Sequence, residues 1–230
     1  MPLIPRDIPA RVLERIRHVE RSISLADVQF SALSRDPSSG ALSVEGFTSL
    51  RVRHLLNNLC APRGTRYLEI GVRLGASLVA ASYGNTMGRV LGVDAWKGDG
   101  FAYCEPGARE NVARFVPGAE LLKGDAFDPS IIEAVAARGP FDVYYYDADH
   151  EMVPTLDSLR RYRRVLAEPA IVCWDDMETF TVASALAQLY ITREIPIWRT
   201  WILPAFRQGD EDLYWNGFIV MVVGGEGTGT

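Results

Sequence analysis

The chain has 230 residues, 48% hydrophobic and 23% charged, with a formal net charge of −5. That length suits one α/β domain with an added segment, and the acidic balance argues against a nucleic-acid surface, which needs clustered Lys and Arg. The cysteines, Cys60, Cys104 and Cys173, are odd in number and lack C-x-x-C spacing, which argues against a disulfide framework or a zinc site and fits a reducing cytoplasm. The first twenty residues, MPLIPRDIPARVLERIRHVE, are charged and lack the apolar segment of a signal peptide. No run reaches the length of a membrane span. The expectation is a cytoplasmic protein with neither a nucleic-acid nor a membrane partner.

Residues 7–33 read as a helix, because Ile8, Val12, Ile16, Val19 and Ile23 recur every three or four residues. A turn at Asp36-Pro37-Ser38-Ser39-Gly40 leads to a second predicted helix at 43–59. Together these make residues 1–62 an N-terminal helical arm, set apart from the pattern that follows. Its apolar stripe needs a partner surface, either within the chain as a lid or in a homodimer. From residue 65 onward strands and helices alternate. Strands are predicted at 66–70, 89–93, 120–123, 141–146 and 170–174, and helices at 76–83, 108–115, 131–137, 155–166 and 181–190. The Gly- and aromatic-rich stretch 96–106 reads as a loop. Two further strand-like runs, 195–202 and 213–223, flank a polar hairpin at 204–212. This rhythm predicts an α/β fold: a doubly wound seven-stranded sheet, mostly parallel with an antiparallel last strand. Residues 63–224 form the main domain, and 225–230 a flexible tail. The aromatics Trp198, Trp201, Tyr214, Trp215 and Phe218 read as core of the last hairpin, with a substrate wall near Tyr214 and Trp215 as the alternative.

Strand one runs into Leu68-Glu69-Ile70-Gly71-Val72-Arg73-Leu74-Gly75-Ala76-Ser77. Glycines let a backbone turn sharply and let a ligand approach, and the following helix N-terminus offers free N–H groups. Asp94 ends strand two about twenty residues later, where an acid commonly holds ribose hydroxyls. The spacing is G-x-x-x-G, with Arg73 in the tight part of the turn. A dinucleotide fingerprint would place a glycine there, and Glu69 would sit poorly beside a pyrophosphate. A nicotinamide-linked oxidoreductase is therefore the weaker reading. A non-catalytic cofactor-binding or assembly protein of the same fold is a third.

On these residues the chain resembles the class I S-adenosylmethionine-dependent methyltransferases, which have a Rossmann-like fold. Residues 68–77 are similar to their first motif, and 90–94, 124–126 and 142–150 to the next three. The family's usual motif has a further glycine where Arg73 stands. The resemblance implies S-adenosylmethionine as cofactor. Glu69, Gly71 and Gly75 would shape the methionine side of its pocket, with Ser77 and Asp147 alongside. Asp94 would hold the ribose, and Asp125 with the Ala126 backbone would read the adenine.

Asp147 ends strand four and Asp175-Asp176 ends strand five. Neighbouring strands lie about 4.8 Å apart, so these carboxylates can converge on one hard divalent cation such as Mg2+. The layout is similar to cation-dependent O-methyltransferases acting on catechol-like or sugar hydroxyls. Here Asp175-Asp176 replaces Asp-Asn, and His150 stands where that family often has a lysine. A histidine of ordinary pKa, about 6.5, can take a proton at neutral pH. His150 and Asp147 are thus the candidate catalytic residues, and the expected substrate is a small molecule carrying a hydroxyl. The plain structural readings stay open beside this: Asp147 closing the methionine pocket, Asp149 and Asp176 capping helices, and His150 as a surface residue.

Overall fold

Five strands run parallel because a helical crossover separates each from the next. They are β1 (Arg66–Ile70), β2 (Arg89–Asp94), β3 (Glu120–Lys123), β4 (Phe141–Tyr146) and β5 (Leu166–Trp174). The computed structural model describes residues 8–98 and 101–224. β6 (Ile197–Leu203) and β7 (Phe218–Val223) complete a sheet of order β3-β2-β1-β4-β5-β7-β6. β7 inserts between β5 and β6 and is antiparallel to both, with Ala170 opposite Val223 and Trp201 opposite Val220. The mostly parallel seven-stranded sheet with its antiparallel last strand is therefore as expected. Chain direction through the sheet reverses between β1 and β4, the switch point where ligand crevices open in such folds.

Side chains alternate cleanly between the two faces. Tyr67, Tyr145, Cys173 and Val220 face one layer, formed by α1 (Ala10–Asp27), α2 (Leu50–Leu59), α3 (Ala76–Ser82) and α4 (Cys104–Phe115). Leu68, Tyr144, Trp174 and Met221 face the other, formed by α5 (Pro129–Ala136), α6 (Met152–Tyr162) and α7 (Phe180–Thr192). Burial on both faces explains why these strands read as continuous apolar runs. The three cysteines are free and buried. Among the described residues no helix is long and apolar enough to cross a membrane.

The arm differs from its expected form. The stripe Val12, Ile16, Val19 and Ala26 is buried within the chain, with α1 packed on α2, β5 and β7. Arg15 ties α1 to the start of β4 through Asp142 at 3.0 Å. The arm is thus part of one covering layer rather than an appendage. His18 and His54 are hydrogen-bonded inside it, to the Leu59 carbonyl and the Ser31 hydroxyl. The first helix stops at Asp27, short of residue 33, and Gln29 turns into the left-handed region with φ 51°. Asp7 lies outside the described residues. The second helix begins at Leu50 rather than 43, where the Ser49 hydroxyl accepts the Val52 N–H as an N-cap. Residues 44–49 instead run as a linker across the start of α3, so close that a Cβ on Gly46 would stand 2.4 Å from that of Ala76.

Four other elements have shifted boundaries. α4 starts at Cys104, inside the predicted loop, α6 occupies 152–162 instead of 155–166, and β5 starts at Leu166. The predicted strand 213–223 forms only from Phe218, because Trp215 (φ 58°) and Gly217 (φ 82°) adopt turn conformations before it. The tail, 225–230, lies outside the described residues.

Leu55 on α2 is fully buried between the arm and the sheet layer. Leu55→Ala is expected to cost about 2–5 kcal/mol of folding stability. Urea denaturation would measure it; a loss under about 1 kcal/mol would mean the arm is not part of the cooperative core.

Candidate functional site

A cavity of about 850 Å³ opens at the C-terminal ends of β1, β2, β4 and β5. Its floor is the turn after β1, which the end of β2 holds in place. Asp94 Oδ2 accepts the N–H groups of Val72 and Arg73 at 2.8 and 2.7 Å, and Oδ1 accepts that of Trp96 at 2.6 Å. Two of the turn's own amides are therefore committed within the protein. Gly71 (φ 94°) is glycine for a packing reason: a Cβ there would stand 1.8 Å from the Asp147 carbonyl oxygen. Gly75 (φ 87°) supplies the left-handed residue before α3.

Gly71, Ser77, Asp94, Asp125, Ala126, Asp147, His150, Asp175 and Asp176 all line this cavity. Gly75 and Glu69 are not on its wall. Glu69 is fully buried behind it, accepting hydrogen bonds from the Tyr67 hydroxyl at 2.6 Å and the Ser77 hydroxyl at 2.7 Å. Burial pushes its carboxyl up to about 8, against the pull of those two donors. It acts on the cavity through Ser77 rather than by direct contact. Asp125 accepts the Phe127 N–H at 2.9 Å and lies 3.7 Å from Lys97 Nζ. The Ala126 carbonyl is taken by the Tyr162 hydroxyl.

The carboxylates after β4 and β5 share one wall but do not converge as metal ligands. The buried Asp175 turns inward, accepting from the Tyr145 hydroxyl at 2.8 Å, and its Oδ1 has no partner. Asp176 (φ 54°) accepts from the Asn216 side-chain amide at 2.7 Å, and its other oxygen lies 3.3 Å from His150 Nε2. Asp147 Oδ1 is 3.7 Å from the same nitrogen. Among the described residues no group of three His, Cys, Asp or Glu side chains is placed to hold a metal ion. The expected cation set of Asp147, Asp175 and Asp176 thus does not fit as arranged. The imidazole stands between two of its members, and the third faces the interior. Burial, then neighbouring carboxylates, raise both Asp147 and Asp175 well above the usual carboxylate range. Thr179, not Asp176, caps α7, and Asp149 accepts the Glu151 N–H just ahead of α6.

Several lining residues were not foreseen. Glu45, Gly46, Phe47 and Thr48 come from the linker, which reads as helix in sequence. The only available signal was Gly46 followed by the Thr48-Ser49 cap pattern. Tyr145 links Asp147 and Asp175 from beneath the wall, at 3.1 and 2.8 Å. Its aromatic character alone gave no hint of that. Trp215 lines the cavity, as the alternative reading of the hairpin had it. Tyr214 is buried and donates to Asp27.

A family model described as a methyltransferase domain matches residues 68–177. No curated protein sequence matches the chain. Many solved structures are similar in fold, among them the following three. An O-methyltransferase from Bacillus cereus in complex with SAH is 19% identical, with a TM-score of 0.58, over 96% of this chain and 93% of that one. The O-methyltransferase TomG from Streptomyces achromogenes, involved in tomaymycin synthesis and in complex with SAM, is 18% identical, with a TM-score of 0.60, over 92% and 99%. A structure named as a caffeoyl-CoA O-methyltransferase from Staphylococcus aureus is 16% identical, with a TM-score of 0.58, over 90% and 100%.

Glu69 gives the wall a pH signature. Its carboxyl, ordinarily near 4.5, holds its proton up to about 8 in the folded chain. The stability it contributes is therefore complete below the ordinary value and lost as pH rises through about 8. Glu69→Gln is expected to flatten the fall in stability between about pH 5 and about pH 9, measured by denaturation. An unchanged slope would show that Glu69 is ionised in the fold.

Proposed function

We propose, from the premise that residues 68–177 are a methyltransferase domain in a class I fold, that this chain methylates a hydroxyl oxygen of a small molecule. One observation carries the choice of chemistry. The His150 imidazole faces the same cavity as the β1 turn, with carboxylate oxygens at 3.3 and 3.7 Å.

The lining fits S-adenosylmethionine. Gly71 brings backbone to the cavity floor, and the Ser77 and Thr48 hydroxyls, the latter buried without a partner, would hold the methionine end. Asp94 keeps one acceptor site, on Oδ1, for a ribose hydroxyl after accepting three amides, and Asp125 with Ala126 would stand on the adenine side. Two of these hydrogen bonds, from Val72 and Arg73, count against a dinucleotide, because they occupy turn amides that a pyrophosphate would use. When bound, S-adenosylmethionine supplies a methyl carbon that accepts an oxygen lone pair and releases a neutral thioether.

The His150 imidazole takes the acceptor's hydroxyl proton as the new oxygen–carbon bond forms. Asp176 and Asp147 steady the imidazolium that results. Asn216 fixes Asp176, and Tyr145 holds Asp147 from below. Phe47 and Trp215 stack on each other and give the cavity an aromatic wall. No step is routed through a divalent cation, since the carboxylates are not arranged to share one.

Calorimetry is expected to give saturable binding of S-adenosylhomocysteine and none of NAD; the reverse would end the methyltransferase reading. His150→Ala should lower kcat on a hydroxylated acceptor by about 10²–10⁴ while leaving S-adenosylhomocysteine affinity intact. Full activity in that variant removes the base role. Activity should survive EDTA. Loss with EDTA and recovery with Mg2+ would restore the cation-assisted reading.

A further inference from the structure

Among the described residues, one strongly positioned cation of the pocket, Arg73, has no role in the reaction just described. Arg73 stands in the β1 turn with φ 49°, a conformation that non-glycine residues hold only when their surroundings impose it. The surroundings do so twice. Its N–H is held by Asp94, and its carbonyl accepts the Trp96 indole N–H at 2.8 Å. The side chain therefore leaves a fixed point and reaches across the cavity wall. Its guanidinium lies 3.9 Å from the centre of the Phe47 ring, and Phe47 stacks on Trp215 with centroids 6.3 Å apart.

The guanidinium's hydrogen bonds do not add up. Nη2 meets Glu45 Oε1 at 3.3 Å, but that carboxylate is 77% exposed, and such pairs are worth little. Nε and Nη1 are shielded from solvent and, among the described residues, have no acceptor. Shielded cationic donors without acceptors are costly, and either of them together with Nη2, whose contact with the exposed Glu45 is weak, makes a planar donor fork that matches the two oxygens of a carboxylate. The rest of the wall is acidic, with Asp94, Asp147, Asp175 and Asp176 all on it. Its other ammonium or guanidinium cation among the described residues, Lys97, is at the far end beside Asp125.

We propose that Arg73 is the anion-recognition residue of this pocket and takes a carboxylate carried by a ligand. The inference rests on the methyl-transfer reading. That reading supplies two sources: the amino-acid end of the cofactor and an acidic group on the acceptor. Phe47 and Trp215 would then flank the bound group with flat apolar surface.

The test compares two ligand pairs by calorimetry on wild type, Arg73→Met and Arg73→Lys. The first pair is S-adenosylhomocysteine and its decarboxylated analogue. The second, measured with S-adenosylhomocysteine present, is 3,4-dihydroxybenzoate and catechol. Arg73→Met should weaken the carboxylate member of one pair by about tenfold or more and leave its partner within about twofold. Arg73→Lys, which keeps the charge without the fork, should fall between. A selective loss in the first pair assigns the carboxylate to the cofactor, and in the second to the acceptor. If both members of a pair weaken equally, Arg73 is a structural residue and the proposal fails. It also fails if wild type does not distinguish the members of either pair, or if neither variant changes any affinity. Wild type binding no S-adenosylhomocysteine at all is a different result: it removes the methyl-transfer reading, and this inference with it.

Discussion

Gly71 passes so near the Asp147 carbonyl that an added Cβ would stand 1.8 Å from its oxygen. This contact lies at the switch point, where the chain turns away from β1 and β4 on opposite sides of the sheet. It brings the turn after β1 and the acidic wall after β4 to one place. The Asp147 N–H is bonded to the Ile70 carbonyl, and the Gly71 N–H to that of Val93, so the ladder carries this alignment across to β2. Asp94 then fixes the far side of the turn through three amides. The cavity is thus the space left when three strand ends are locked at one level, and its floor has little freedom to move.

That rigidity creates an electrostatic problem. Glu69, Asp147 and Asp175 are crowded beneath and along one wall, and low dielectric disfavours ionising all of them. Tyr145 has a single hydroxyl proton for two carboxylates, so it cannot satisfy both at once. A wall of this kind favours positive charge in the cavity. A sulfonium and an imidazolium fit that requirement, and Arg73 meets it at the opposite side. The stack of Arg73 on Phe47 joins the β1 turn to the N-terminal linker, so the covering layer also contributes to the site.

The alternation of short apolar runs with helical periods was enough to predict the sheet, its parallel core and the antiparallel last strand. Those signals are local: a strand buried on both faces must be apolar throughout, and a helix on a sheet must carry a stripe. Residues at strand ends were legible for the same reason. Gly71, Asp94, Asp125, Asp147 and Asp175 follow directly from where each apolar run stops.

What only the tertiary structure decided was direction and company. Sequence could place Asp175 at the end of β5, but not show that it turns inward to Tyr145 while Asp176 faces His150. Adjacent residues at a strand end point to opposite faces, and a left-handed φ at Asp176 alters that further. Nor could it place Phe47 and Thr48 over the cavity, because the path of residues 44–49 depends on contact with α3, far along the chain. The same holds for the arm, whose stripe said that a partner was needed but not that the sheet of its own chain supplies it. Periodicity records what a segment must bury; which surface buries it, and which way each polar group then turns, is settled only when distant segments meet.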